Sequence, residues 1–120
     1  MKEIDLSKRE LKKQLFKRSK DDVKLLEIEK NGQYSLAYGE IERAKENRKH
    51  KMAMQELYYI IEGKGEMILS GEKILVKKGM IIKVEKNKEQ KIRNMGRRNL
   101  RFLMIVNPPY NEEMEIIIEG

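Results

Sequence analysis

The chain of 120 residues contains no cysteine, no tryptophan, two prolines and a single histidine. Without cysteine there can be no disulfide, no thiolate metal site and no cysteine nucleophile. No apolar run approaches the ~18 residues of a membrane span. No signal-peptide pattern or lipidation motif is present either, so the expectation is a cytoplasmic protein with no membrane partner. The length predicts one domain with one buried core.

What the chain does have is charge. Hydrophobic and charged residues each make up 39%. Abundant Lys, Glu and Ile without Cys give a thermophile-like composition, against which the eight methionines count. The net charge of +7 is uneven. Residues 1–20 hold eight Lys/Arg and three Asp/Glu, a balance of +5, which leaves only +2 for residues 21–120. The basic character belongs to the N-terminal arm.

Two units are expected, an arm with a helix over residues 1–22 and a β domain over 23–120. Residues 7–19 read as a helix. Ser7 and Glu10 can form a capping box, with Leu6 and Leu11 as the hydrophobic staple. Leu11, Leu15 and Phe16 make a narrow apolar stripe for the β domain or a partner subunit. From Val23 the hydrophobic period changes to two, predicting strands over 23–29 and 34–42 about an Asn31-Gly32 turn. Further strands are expected at 57–61, at 66–69 and 73–76 about Ser70-Gly71, and at 80–84, 90–94 and 100–106. Pro108-Pro109 ends the last of these, and 113–118 can add an edge strand. Eight or nine short strands predict an all-β antiparallel jelly roll or barrel.

The informative stretch runs His50-x-Met52-x-x-x-Glu56, then to Gly79, then Gln90-x-x-x-Asn94. On extended backbone, residues two apart share a face. His50, Met52, Met54, Glu56 and Tyr58 therefore point together if residues 51–56 are regular strand, and so do Gln90, Ile92 and Asn94. Folding one segment on the other gathers an imidazole, a carboxylate and an amide, with thioethers beside them.

Here the chain resembles the cupin superfamily. His50, Glu56 and Gly63 match a first motif, Gly79 and Asn94 a second, and fifteen residues separate Gly63 from Gly79. Glu56-Leu57-Tyr58-Tyr59-Ile60-Ile61-Glu62-Gly63 is similar to cupins in its phrasing, and the resemblance covers roughly residues 25–110. It implies a jelly-roll β-barrel, preceded here by the short helix. It also implies a pocket holding a metal on three His and one Glu. The chain departs from that set, with Met52 and Gln90 where His is usual, Ala44 for an opening Gly, and Glu85 and Asn87 for a Pro and a Gly. Only His50 and Glu56 remain of the four ligands.

A divalent metal on His50, Glu56 and Gln90, with Met52 nearby, is one expectation. Nitrogen and oxygen donors suit Mn, Fe(II), Ni or Zn, and a thioether favours copper. Met52, Met54, Tyr58, Asn94, Phe102 and Met104 would line the pocket for a small polar ligand. If the chain is an enzyme, His50 and Glu56 are the groups able to exchange protons near neutral pH. The donor set is poor for dioxygen chemistry, so a metal-assisted lyase or isomerase acting on a small acid or sugar is expected. The alternative is a metal-free cupin that binds or senses a small molecule without catalysis. Met52 and Met54 would then fill the core, and His50 would hydrogen-bond Glu56 or Gln90. Sheet edges and the apolar run 103–106 predict a homodimer. The basic helix reads as a solvated face rather than a nucleic-acid contact, because no helix-turn-helix accompanies it.

Overall fold

The structure, a computed structural model, describes residues 3–14 and 16–118. The predicted helix over 7–19 is reduced to a single turn, α1 (Lys8–Leu11). Ser7 caps it by accepting the Glu10 N–H at 3.3 Å, so one half of the expected box is made. An isolated helix this short is marginal in water, and strand pairing competes with its extension. Phe16 lies over Tyr38, with ring centroids 6.1 Å apart, and β1 (Lys17–Arg18) pairs antiparallel with β2 (Lys24–Lys30). Leu15 lies outside the described residues.

The remaining elements are strands apart from one 3-10 turn. They are β3 (Ser35–Ile41), β4 (His50–Met52), β5 (Gln55–Glu62), β6 (Lys64–Leu69), β7 (Glu72–Lys77) and β8 (Ile81–Val84). After these come β9 (Gln90–Asn94), β10 (Leu100–Asn107), the turn Glu112–Met114 and β11 (Glu115–Ile117). All pairings between these strands are antiparallel, in a six-stranded sheet ordered β1-β2-β3-β10-β5-β8 and a five-stranded sheet ordered β11-β4-β9-β6-β7.

The tight turn expected at Ser70-Gly71 has positive φ at both residues, 48° and 86°, the backbone that a two-residue hairpin needs. Gly63, between β5 and β6, has φ 97°, and a Cβ there would sit 2.9 Å from the Asn99 carbonyl oxygen. Only glycine fits that corner.

Between the sheets lie Tyr58, Ile60, Met67, Val76, Ile92, Leu100 and Phe102, all fully buried. A second cluster, Leu11, Ile28 and Tyr38 with Leu6 and Phe16, covers part of the outer face of the six-stranded sheet. The N-terminal stripe thus packs on its own sheet. Arg101, which alternation turns outward, is buried beneath this arm, its Nε donating to the Tyr38 hydroxyl at 2.7 Å and its Nη2 donating to the Leu6 carbonyl.

The segment 51–56 is not one regular strand. It bends at Ala53-Met54, where the Ala53 N–H donates to the Met114 carbonyl, and the chain passes from the five-stranded sheet to the six-stranded one. Because the sheets face each other, His50 and Met52 look inward from one side while Glu56 and Tyr58 look inward from the other.

Candidate metal centre and cavity

His50 and Gln90 are direct cross-strand partners on β4 and β9, which sets their side chains on one face of the sheet. Gln90 reaches across the core. Its Nε2 donates to Glu56 Oε1 at 3.0 Å, and its Oε1 accepts from the Tyr58 hydroxyl at 2.9 Å. The orientation of the amide is dictated, since a carboxylate needs a donor and a phenol needs an acceptor. Burial pushes the Glu56 carboxyl up to about 7; His50 and the Gln90 bond pull it down, and Asp21 and Glu115 push it further up. Burial, followed by the nearby Glu56, also drives the Tyr58 hydroxyl well above its ordinary value. This network places Glu56 and Gln90 together as expected, but it occupies the Gln90 amide on both sides.

The imidazole points elsewhere. His50 Nδ1 lies 2.9 Å from the Arg48 carbonyl oxygen. A carbonyl only accepts, so Nδ1 carries a proton and the ring is fixed. Nε2 then stands 3.4 Å from Asp21 Oδ2 and 3.6 Å from Glu115 Oε2. All three residues are buried, and their ligand atoms lie within 4.8 Å of one another. Neither carboxylate entered the expectation from sequence.

Each carboxylate is held by its own support. Asp21 Oδ1 accepts from the Ser19 hydroxyl at 2.5 Å, and Oδ2 from the Asn47 amide at 3.1 Å. The turn around it is local: Ser19 Oγ accepts the Val23 N–H, and Asp22 takes φ 72°. Glu115 sits opposite Met52 on the β4–β11 ladder, and its Oε1 accepts from the Tyr110 hydroxyl at 2.5 Å. Burial, then the neighbouring Asp21, raises the Glu115 carboxyl above its usual range, while Tyr110, His50 and Lys20 oppose the rise. Lys20 Nζ donates to the carbonyls of Glu112 and Glu115 at 3.1 and 2.7 Å, joining the arm to the C-terminal segment.

These donors suit a divalent ion. Two carboxylates and a neutral imidazole carry a charge of about −2, and metal–ligand bonds of about 2.1 Å place neighbouring donor atoms roughly 3–3.5 Å apart. Nitrogen and oxygen donors match Mn, Fe(II), Ni or Zn. The copper expectation rested on Met52, whose thioether is packed with Met54 and Val106, a gap-filling role.

The cluster opens on a cavity of roughly 350 Å³ lined also by Met52, Glu56, Met104 and Val106, with Lys17, Arg18 and Lys20 among its walls. Of the residues expected to line a pocket, Met52 and Met104 do so. Met54 packs in the Met52–Val106 cluster, while Tyr58 and Phe102 pack on each other in the core with ring centroids 5.4 Å apart. Asn94 serves the backbone. Its amide donates to the Ile41 and Arg98 carbonyls and its oxygen accepts the Gly96 N–H, pinning the turn between β9 and β10.

Residues 34–106 match the model of the cupin domain. The chain is a cupin. The cupin matched segment contains His50, Glu56 and Gln90 but neither Asp21 nor Glu115. An uncharacterized protein of Methanocaldococcus jannaschii is 43% identical over 65 residues, 54% of this chain and 52% of that protein. This cupin therefore spans about half the length of that relative. Among solved structures, the Cnp3 cupin domain of Schizosaccharomyces pombe superposes with a TM-score of 0.71 at 17% identity, covering 81% of this chain and 70% of that one. A predicted oxalate decarboxylase of Thermotoga maritima gives 0.66 at 22% identity, covering 72% and 80%. Likeness at such identity carries the fold alone. Cupins often bind metal and small ligands and are often oligomeric, and enzymes stand among the structural neighbours.

Proposed function

We propose that this cupin holds a divalent transition-metal ion between Asp21, His50 and Glu115 and uses it on a small polar ligand in the adjoining cavity, as a lyase or isomerase. One observation carries the reading. The Arg48 carbonyl commits Nδ1 as a donor, so Nε2 faces two buried carboxylates, and that arrangement suits a cation at its centre. A metal there supplies Lewis-acid polarisation of a ligand oxygen. The chain's own residues do the rest. Tyr110, Ser19 and Asn47 hold the two carboxylates in place. Glu56, on the same cavity and near neutral in its proton affinity, takes or returns a proton as a general acid–base group. Gln90 and Tyr58 fix the direction in which it points. The thioethers of Met52 and Met104 give the cavity an apolar wall.

The deciding measurement is elemental analysis of natively purified protein beside an Asp21→Asn/Glu115→Gln variant. About one equivalent in the first and none in the second supports the assignment, whereas no metal in either removes it. Turnover of a panel of small acids and sugars by wild type and Glu56→Gln then tests catalysis. Activity indifferent to that change would remove Glu56 from the mechanism.

A second reading keeps the pocket without the metal, as a module binding a small molecule. Its support is that the Glu56–Gln90–Tyr58 network is complete without an ion, and that a proton on Nε2 also answers the two carboxylates. Metal-free protein whose melting temperature rises with small polar ligands would favour it.

The division proposed is an arm of residues 1–22 and a cupin domain of 23–120. The dimer proposed uses the outer face of the six-stranded sheet, where Tyr59, Ile81 and Ile105 are exposed and Tyr59 stands directly opposite Ile81. Light scattering that returns a monomer at all concentrations would exclude it. Among the described residues, no helix is long and apolar enough to cross a membrane.

A further inference from the structure

A second concavity, of about 380 Å³, lies on the outer face of the six-stranded sheet between α1 and the turn joining β9 to β10. The sheet separates it from the metal cavity, because its strand residues, Lys24, Glu40 and Arg101, alternate away from the inward-facing Leu25, Ala37 and Met104. Five cations line it, Lys8, Lys12, Lys24, Arg98 and Arg101, against the one carboxylate of Glu40. Several of these charges are already answered. Lys8 pairs with Glu62 at 3.1 Å, Lys24 with Glu40 at 3.7 Å, and Arg101 loosely with Glu62 at 3.9 Å. Lys12 and Arg98, exposed on opposite lips, have no carboxylate within 4.0 Å among the described residues.

Arg101 forms a preset floor. It is only 7% exposed, and its Nε and Nη2 are tied to the Tyr38 hydroxyl and the Leu6 carbonyl. Of the five guanidinium N–H groups, those two bonds use two, which leaves three without a hydrogen bond, with Nη1 3.9 Å from Glu62 Oε1 in a loose ion pair. A rigid guanidinium with unused donors loses little entropy on taking an anion. Phe16 adds an apolar wall, with Lys24 Nζ 4.7 Å from its ring centre.

We propose that this cleft is a binding site for a phosphorylated small molecule, the phosphate being held by Lys12, Arg98 and Arg101. Two cations without a carboxylate within 4.0 Å, lining the same cleft as a buried guanidinium that keeps hydrogen-bond donors unused, suit a compact ligand of charge −2 or more, with several acceptor oxygens, which is the chemistry of a phosphate monoester or diphosphate. A nucleic-acid backbone is disfavoured, because Glu40 and Glu62 stand among the cations and interrupt the continuous basic track that a long phosphate chain requires. The inference does not depend on the metal assignment.

The test is calorimetric titration of full-length protein with pyrophosphate at low ionic strength, in wild type and in the Asp21→Asn/Glu115→Gln variant. Equal one-to-one binding in both is expected, and it places the anion away from the metal donors. Lys12→Glu/Arg98→Glu, which alters exposed residues only, is expected to weaken binding at least tenfold. Lys73→Glu/Lys78→Glu, the same charge change on β7 and the turn after it, is expected to leave binding within twofold. No binding to wild type, equal losses in both charge variants, or loss of binding in the metal-donor variant would each overturn the proposal. So would single- or double-stranded nucleic acid that binds through these residues and is not displaced by pyrophosphate.

Discussion

Glu56, Gln90 and Tyr58 form a chain in which each donor meets an acceptor across the core, whereas His50 Nε2 on the same cavity meets two acceptors and no donor. Both groups are buried, and both contain residues that the cupin motifs single out. They differ in whether the polar atoms satisfy one another. A completed network has spent its donors on holding two sheets together, and adding an ion to it would break bonds already made. The imidazole with its two carboxylates leaves an electrostatic demand that a proton on Nε2 or a bound cation would meet. Burial of polar groups alone therefore does not distinguish the two clusters; what distinguishes them is how far their charges are matched.

That contrast can be broken by substitution. The largest effect is expected from His50→Ala, which removes the only nitrogen donor and should abolish stoichiometric metal uptake as read by elemental analysis, whereas Gln90→Leu should leave uptake intact. Retained metal in the first variant, or its loss in the second, would reverse the roles assigned to the two clusters.

The next effect is on stability and depends on pH. The Glu56 carboxyl is raised from 4.5 to about 7 in the fold, so the folded state binds its proton more tightly than the unfolded state. Its contribution is full below pH about 4.5 and is lost as the pH rises through 7, amounting to about 3 kcal/mol. Glu56→Gln keeps an acceptor for the Gln90 amide and removes the ionisation. Denaturant unfolding between pH 4.5 and 8 should show the variant gaining on wild type by that amount. Parallel curves for the two proteins would count against a protonated Glu56.

Gln90→Leu should cost roughly 2–4 kcal/mol in the same assay at pH 5, because it strands a buried carboxyl and a buried hydroxyl. The smallest effect is expected from Asn94→Ala, roughly 1–3 kcal/mol from the unpaired Ile41 and Arg98 carbonyls and Gly96 N–H, with ligand binding unchanged. A ligand affinity that moved with Asn94 would return that residue to the pocket, where the motif alone had placed it.

Much of the fold was legible because alternation and turn chemistry are local. Positions 90–94 and 100–106 read as strands, and Ser70-Gly71 as a tight hairpin, from the residues themselves. The family motif brought His50, Glu56 and Gln90 into one neighbourhood. The helix over 7–19 was misread because its propensity and capping signal were outcompeted by Phe16 packing on Tyr38 and by the β1–β2 ladder, neither of which is visible in a window of residues. Asp21 and Glu115 were missed for a related reason. Both fall outside residues 34–106, one in a turn of an arm and one on a three-residue edge strand. Their proximity arises only from tertiary pairing of Glu115 with Met52 and of Arg48 N–H with the Asp21 carbonyl. The one local hint was the Ser19-x-Asp21-Asp22 turn, whose hydroxyl and carboxylate organise their own backbone.

The bond from Lys20 to the carbonyls of Glu112 and Glu115 joins two segments some ninety positions apart in sequence, and the two acidic donors flank it. An ion held there would act as a clasp between the arm and the last strand of the five-stranded sheet. The strands beside its donors are only two and three residues long, and elements with so little pairing open first, so warming should release the ion before the β-roll itself melts. Loading should slow amide exchange at residues 17–23 and 110–117 more than in the central strands, and uniform protection would show that the fastening lies elsewhere.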